Sequence, residues 1–71
     1  MSDPARLVAM ANQIARNLAV RGEEAAIAET ARHLRDFWDP RMKAAILKAD
    51  RTALDPIAAE AVNRIAETLQ G

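Results

Sequence analysis

All three prolines of this chain directly follow an aspartate, in the dipeptides Asp3-Pro4, Asp39-Pro40 and Asp55-Pro56. Proline suits the first helical position because its missing N–H would have no partner there. An aspartate before it can accept a hydrogen bond from a free amide of the first turn. Each dipeptide therefore predicts the start of a helix, and its aspartate is the predicted N-cap.

Apolar residues recur at helical spacing in the first half of the chain. The first stripe predicts a helix that ends near Gly22, a residue that can adopt the left-handed conformation after a helix end. Acidic residues suit the positive end of a helix dipole, so the second helix is predicted to begin at Glu23 and Glu24. The two stripes are Leu7, Ala11, Ile14 and Leu18, followed by Ile27, Ala31, Leu34 and Trp38.

Two further helices are predicted in the second half. The third, from Pro40 to about Ala49, has no single apolar face, because Leu47 points away from the stripe that contains Met42 and Ile46. Such a helix either packs on two sides or waits for a partner, and the scarcity of large apolar residues favours a partner. The last helix starts at Pro56, and its apolar face comprises Ala58, Ala61, Val62, Ile65 and Leu69.

Alanine limits the core that these helices can build. It accounts for 17 of the 36 hydrophobic residues in a chain of 71, which leaves 19 larger ones. A chain this short buries a modest fraction of its surface, while alanine faces allow helices to approach closely. We therefore predict an all-α fold, a small bundle of three to four short helices with short connections, as a single domain over residues 1–71.

Composition argues against several functions. The chain has no cysteine and one histidine, so it offers no disulfide, no thiolate metal site and no credible nucleophile–base pair. We predict no catalytic, cofactor-binding or metal-binding residue in it. Ten basic and ten acidic residues cancel, which gives no indication of nucleic acid or a membrane surface as partner. Without a long apolar run or a signal-peptide pattern, the expected location is the cytoplasm.

The hexapeptide Phe37-Trp38-Asp39-Pro40-Arg41-Met42 holds both aromatic residues of the chain. Helical spacing places Trp38 inward and Phe37 at the boundary between core and solvent. The segment is either a plain helix–helix corner or a recognition corner that presents aromatics beside Arg41, since Trp and Arg often carry interface energy. His33 is expected to be a solvated surface residue. The candidate partner-binding residues are Phe37, Trp38, Arg41, Met42, Lys43 and Leu47, with Asn12 and Gln13 on the first helix. For Asn12 and Gln13 the alternative is a solvated shoulder of that helix.

Charge is unevenly placed along the chain. Residues 32–51 contain six basic and three acidic side chains, a net charge of +3, and the flanks together carry −3. A basic corner of this kind could dock an acidic protein surface or the phosphates of a bound cofactor. The alternative is a solvated helix back with mixed charges.

Three stretches of the sequence resemble one family. They are Asp3-Pro4 with Leu7-Val8-Ala9-Met10-Ala11-Asn12-Gln13-Ile14-Ala15, the hexapeptide above, and Leu54-Asp55-Pro56-Ile57. Together they closely resemble the small delta subunit of soluble NAD-dependent molybdenum formate dehydrogenases, over nearly the whole chain. The hexapeptide and the run from Met10 to Ala15 are specific, because neither a helix period nor a cap requires those residues.

This resemblance implies a non-catalytic accessory subunit of an enzyme that oxidises formate to carbon dioxide and reduces NAD. In that family the chemistry belongs to larger subunits, which carry a molybdenum bis-guanine-dinucleotide cofactor, iron–sulfur clusters and FMN. The delta subunit is associated with stability, assembly or cofactor maturation of the complex. The implied partners are the catalytic alpha subunit, the rest of the complex and a maturation chaperone.

Other classes of protein share some of these features. A helical adaptor of another multisubunit enzyme would have every physical property described above, and the identity of its partner would distinguish it. A helix-turn-helix DNA-binding protein needs a basic recognition helix, whereas the segment after Pro40 is short and the chain is neutral. An autonomous enzyme has the least support.

Overall fold

The computed structural model describes the backbone of residues 3–70 and the side chains of residues 3–67. Within these residues the chain forms four α-helices and no strand, which confirms the predicted all-α class. The predicted apolar residue Leu69 lies outside the described side chains. The helices are α1 (Pro4–Leu18), α2 (Glu23–Phe37), α3 (Pro40–Lys48) and α4 (Pro56–Gln70).

Each of the three prolines is the first residue of a helix, as predicted. At α1, the Asp3 carboxylate accepts a hydrogen bond from the N–H of Ala5 at 3.1 Å. At α3, the Asp39 carboxylate accepts one from the N–H of Met42 at 2.9 Å. These two aspartates are N-caps, each of which typically stabilises a helix by about 1 kcal/mol.

The junction between α1 and α2 differs from its prediction. A 3₁₀ turn over Ala19–Arg21 follows α1, and Gly22 comes after that turn. Gly22 has the expected positive φ of 98°, but its ψ of 152° is far from the value near +47° of a left-handed helical residue. Gly22 therefore does not close α1 as a left-handed cap. It redirects the chain into α2, in a conformation that residues with a side chain rarely adopt.

The core lies where the predicted apolar faces meet. α2 and α4 form the most extensive helix pair, and α1 packs across both. Trp38 is 5% exposed, so the prediction that it points inward is confirmed. The buried apolar residues are Leu7, Ala11 and Ala15 of α1; Ala26, Ile27, Ala31 and Leu34 of α2; Ile46 of α3; Ala58, Ala61, Val62 and Ile65 of α4; and Trp38 and Leu54 between helices.

α3 buries its own apolar residues. Ile46 is fully buried, and Met42, Leu47 and Ala49 are partly buried against the same core. Leu47, expected to point away from the apolar stripe, thus also contributes to this packing. The absence of one clean face reflects a short helix that packs on more than one side, which was the less favoured of the two alternatives.

Side-chain hydrogen bonds fasten the connection between α3 and α4, which contains a 3₁₀ turn over Arg51–Ala53. The Arg51 guanidinium donates from Nη1 to the carbonyl oxygens of Leu47 and Ala49, both at 3.0 Å. Its Nε donates to Oδ1 of Asn63 in α4 at 3.0 Å. Arg51 therefore satisfies carbonyl groups left free at the end of α3 and ties them to α4.

Candidate functional site

Phe37 is an exposed aromatic residue, with 75% of its surface accessible. It is the last residue of α2 and lies one turn after His33, and the two ring centroids are 4.9 Å apart with the planes tilted by 37°. Sequence periodicity placed Phe37 at the boundary of the core. The structure places it further out, because the adjacent Trp38 occupies the inward position where α2 ends.

An open depression of about 270 Å³ lies beside this aromatic pair. Leu18, at the end of α1, contributes an apolar side chain to its lining, while α2 contributes the rest. We call it the Phe37 groove. Its lining residues are Leu18, Glu29, Arg32, His33 and Phe37.

The acidic side chains around the Phe37 groove already have partners. Both carboxylate oxygens of Glu29 accept hydrogen bonds from Nη1 of Arg21, at 2.8 and 3.0 Å. Asp36 is shared by two arginines, with Nε of Arg32 at 3.6 Å and Nε of Arg35 at 3.4 Å from its oxygens. One carboxylate between two guanidinium groups leaves a positive charge on this side of α2.

The corner between α2 and α3 adds to this positive charge. The Lys43 ammonium donates a hydrogen bond to the carbonyl oxygen of Arg35 at 3.0 Å, a neutral group that does not cancel its charge. Arg41 is exposed and makes no hydrogen bond or ion pair within the described part of the chain. Residues 32–43 contain four cations and two carboxylates, a net charge of +2.

Some of the residues predicted at the corner have exposed side chains, and others are held by contacts within the fold. Phe37 and Arg41 are exposed and can meet a partner directly. Trp38 belongs to the core, and Met42 is partly buried against it. Lys43 is half-buried, and its hydrogen bond to α2 helps to close the corner. Phe37 and Arg41 are thus the exposed members of the six residues predicted at the corner.

The two predicted partner-binding residues on α1, Asn12 and Gln13, also differ from each other. Asn12 Nδ2 donates to the carbonyl oxygen of Ala53 at 3.2 Å, and Asn12 Oδ1 accepts from the N–H of Asp55 at 2.8 Å. Asn12 therefore binds the backbone of its own chain, where we expected it to be solvated or to bind a partner. Gln13 stays exposed and donates to Oδ1 of Asn17 at 3.3 Å.

The predicted N-cap role of Asp55 is not seen. Asp55 Oδ2 lies 3.3 Å from Nε of Arg16 in α1, and among the described residues no amide of the first turn of α4 donates to this carboxylate. The reason lies in the tertiary structure, because α1 brings Arg16 to the Asp55 carboxylate and Asn12 to the Asp55 N–H. Sequence reasoning missed both partners because they lie about 40 residues away in the chain.

The described residues contain no group of three or more His, Cys, Asp or Glu side chains that could hold a metal ion. The chain also lacks the thiolates that an iron–sulfur cluster requires. In the described part of the chain, no helix is both long and apolar enough to span a membrane.

These observations define a small four-helix protein whose distinctive surface is an exposed aromatic pair with basic neighbours. The family model of the NADH-dependent formate dehydrogenase delta subunit, FdsD, matches residues 6–62. The match covers most of the 71 residues, and the chain belongs to this family, which confirms the resemblance seen in the sequence. Neither a curated protein nor a solved structure matches it. As a delta subunit of a formate dehydrogenase complex, the chain has the other subunits of that complex as partners.

Proposed function

We propose that this chain is a non-catalytic accessory subunit that binds the catalytic alpha subunit of a cytoplasmic NAD-dependent molybdenum formate dehydrogenase. It supports the assembly, the stability or the molybdenum-cofactor maturation of that subunit. The observation that carries the proposal is family membership over residues 6–62. The exposed Phe37 supports it, because a large accessible aromatic side chain is typical of surfaces that bind other proteins.

In this proposal the redox groups belong to other subunits. The molybdenum bis-guanine-dinucleotide cofactor, the iron–sulfur clusters and FMN would be held there, since a chain without cysteine has no ligands for a cluster. A maturation chaperone could meet this subunit while the alpha subunit is being loaded. What the chain itself contributes is a set of protein contacts.

Co-expression of the complete set of subunits, with and without this chain, tests the proposal. The chain carries an affinity tag, and a parallel preparation carries the tag on the alpha subunit so that the complex can be recovered in both cases. We expect the tagged chain to recover the alpha subunit. Omission of the chain should lower the molybdenum content per alpha subunit, the melting temperature of the complex, or both, and formate-dependent NAD reduction should fall accordingly.

These measurements distinguish a maturation role from an assembly or stability role. A normal melting temperature with low molybdenum content indicates a maturation role, whereas full loading with premature dissociation indicates an assembly or stability role. Recovery of the subunits of another enzyme would support the adaptor alternative. Recovery of no formate dehydrogenase subunit with the tagged chain would overturn the proposal.

A further inference from the structure

We propose that the Phe37 groove is the docking site for an acidic segment of another formate dehydrogenase subunit, which places an apolar side chain beside Phe37. This inference rests on the proposed function, because it specifies where and how the accessory subunit is held. It assigns a surface and a partner chemistry to residues of α2 that packing within the chain does not explain.

The aromatic pair is suited to receive an apolar side chain. Phe37 leaves 75% of its surface exposed, and the tilted ring of His33 lies beside it at a centroid distance of 4.9 Å. A ring with few rotatable bonds loses little conformational entropy on binding. The groove is an open depression of about 270 Å³, which leaves room beside the two rings for an apolar side chain of a partner.

The charges around the groove specify an acidic partner. Glu29 is bound by Arg21, Asp36 lies between Arg32 and Arg35, and Asp39 caps α3. The carboxylates of this region are thus engaged, while Arg41 remains without a partner in the described structure. A partner that carries carboxylates on either side of its apolar anchor would compensate the remaining positive charge.

A second copy of the chain is a poorer occupant of the same surface. In a two-fold symmetric dimer, each residue at the interface faces the same surface patch of the other chain. Dimerisation through Phe37 would therefore bring Arg32, Arg35 and Arg41 of one copy close to those of the other. Like charges brought together in an interface oppose association, so the charge pattern favours a different subunit.

The first test compares two exposed apolar residues. Phe37→Ser removes the proposed contact, and Val20→Ser is the matched control, because Val20 is 90% exposed and does not line the groove. With the tagged full chain co-expressed with the other subunits, we expect Phe37→Ser to weaken the association by about thirtyfold or more. Val20→Ser should recover the subunits as the unmodified chain does.

The second test addresses the partner's charge. Arg41→Glu places a negative charge at the corner, and Arg6→Glu does so at an exposed site in the first turn of α1. We expect Arg41→Glu to reduce recovery by about tenfold or more, with a loss that shrinks at high salt, and Arg6→Glu to change little. Circular dichroism of each full-length variant establishes that the helices remain formed.

The third test identifies the occupant. A photo-crosslinking benzoylphenylalanine in place of Phe37 keeps an aromatic group at this position and should attach to an acidic segment of another subunit in the assembled complex. Attachment to a second copy of the chain or to a basic segment would overturn the inference, as would undiminished recovery with Phe37→Ser. If the unmodified chain recovers no formate dehydrogenase subunit, the proposed function fails first, so the two failures are distinguishable.

Discussion

The junctions at Asp39-Pro40 and Asp55-Pro56 use the same dipeptide in different ways. Both prolines begin a helix. Asp39 bonds within its own helix, to the N–H of Met42 at 2.9 Å, whereas the Asp55 carboxylate reaches Arg16 of α1 at 3.3 Å. The dipeptide therefore determines where a helix begins, while the surrounding structure decides what its carboxylate binds.

The two junctions are also held by different forces. At the corner between α2 and α3, Trp38 is buried in the core and Lys43 closes the corner with one hydrogen bond. The connection from α3 to α4 is longer, and polar contacts from Asn12 and Arg51 fix its backbone. The first junction thus relies mainly on packing, whereas the second adds side-chain hydrogen bonds to the burial of Leu54, a contrast that single substitutions can test.

The largest expected effect is at the corner. Trp38→Ala removes a side chain that is 5% exposed, and loss of a large buried aromatic costs about 3–5 kcal/mol of unfolding free energy. That is a large share of the roughly 5–15 kcal/mol typical of a folded domain. Thermal and urea melts followed by circular dichroism should show a strongly destabilised or unfolded chain.

Phe37→Ala is the matched control for Trp38→Ala, since its ring is 75% exposed. We expect a change within about 0.5 kcal/mol, as for most surface substitutions. A loss for Trp38→Ala as small as that for Phe37→Ala would mean that the corner does not depend on Trp38 packing.

The second largest effect is expected at the polar connection. Asn12→Ala removes a donor to the carbonyl of Ala53 and an acceptor for the partly buried N–H of Asp55, so stability should fall by about 1–3 kcal/mol. Gln13→Ala is the control, because Gln13 is exposed and bonds only to Asn17 in its own helix. Denaturant melts of both variants make the comparison. A loss no greater for Asn12 than for Gln13 would show that the connection is held by packing.

Several features of the fold could be predicted from local patterns. The proline-initiated helix starts and the inward position of Trp38 depend on residues within one or two turns, and the structure confirms them. Asn12 and Arg51 could not be assigned in this way. Asn12 was treated as solvated or partner-binding, and Arg51 was counted among the basic charges, whereas both bind backbone groups of the same chain.

The candidate site was predicted only in part, for a related reason. The hexapeptide pointed to the corner, and Phe37 and Arg41 are exposed there. The contribution of Leu18 to the groove depends on how the end of α1 meets α2, and His33 was treated as a solvated surface residue. Helical spacing did place His33 one turn before Phe37, which was the available signal for the contact between the two rings.

A smaller difference is expected between the stability losses caused by replacing Asp39 and Asp55. Asp39→Ala should cost about 1 kcal/mol, as the loss of an N-cap does, with little dependence on salt. Asp55→Ala breaks a largely exposed ion pair with Arg16, so its cost should lie between about 0 and 1 kcal/mol and shrink as salt is added. Denaturant melts at low and high salt, with a double-mutant cycle of Arg16 and Asp55, measure the difference. A salt-independent loss for Asp55 without coupling to Arg16 would indicate that it caps α4 after all.

The smallest expected effect concerns Asp50, in the connection between α3 and α4. Like Asp39, Asp50 accepts a hydrogen bond from an N–H close to it in the chain. Its carboxylate accepts hydrogen bonds from the N–H and the hydroxyl of Thr52, at 2.9 and 2.8 Å, and these bonds lower the pKa of Asp50. Because the folded state holds the proton less tightly than the unfolded state, this contribution to stability is present at neutral pH. It is lost as the pH falls below about 4, through the lowered folded-state pKa.

NMR titration of the Asp50 carboxyl group tests this account. The pKa should lie below its usual value in the unmodified chain and rise towards that value in Thr52→Val, which removes the hydroxyl bond. The rise should be incomplete, because the N–H of Thr52, the larger cause of the shift, remains. An unchanged pKa in Thr52→Val would show that the hydroxyl contributes nothing. An ordinary pKa in the unmodified chain would show that the turn after α3 does not depend on the ionised carboxylate, leaving Asn12 and Arg51 to hold that connection.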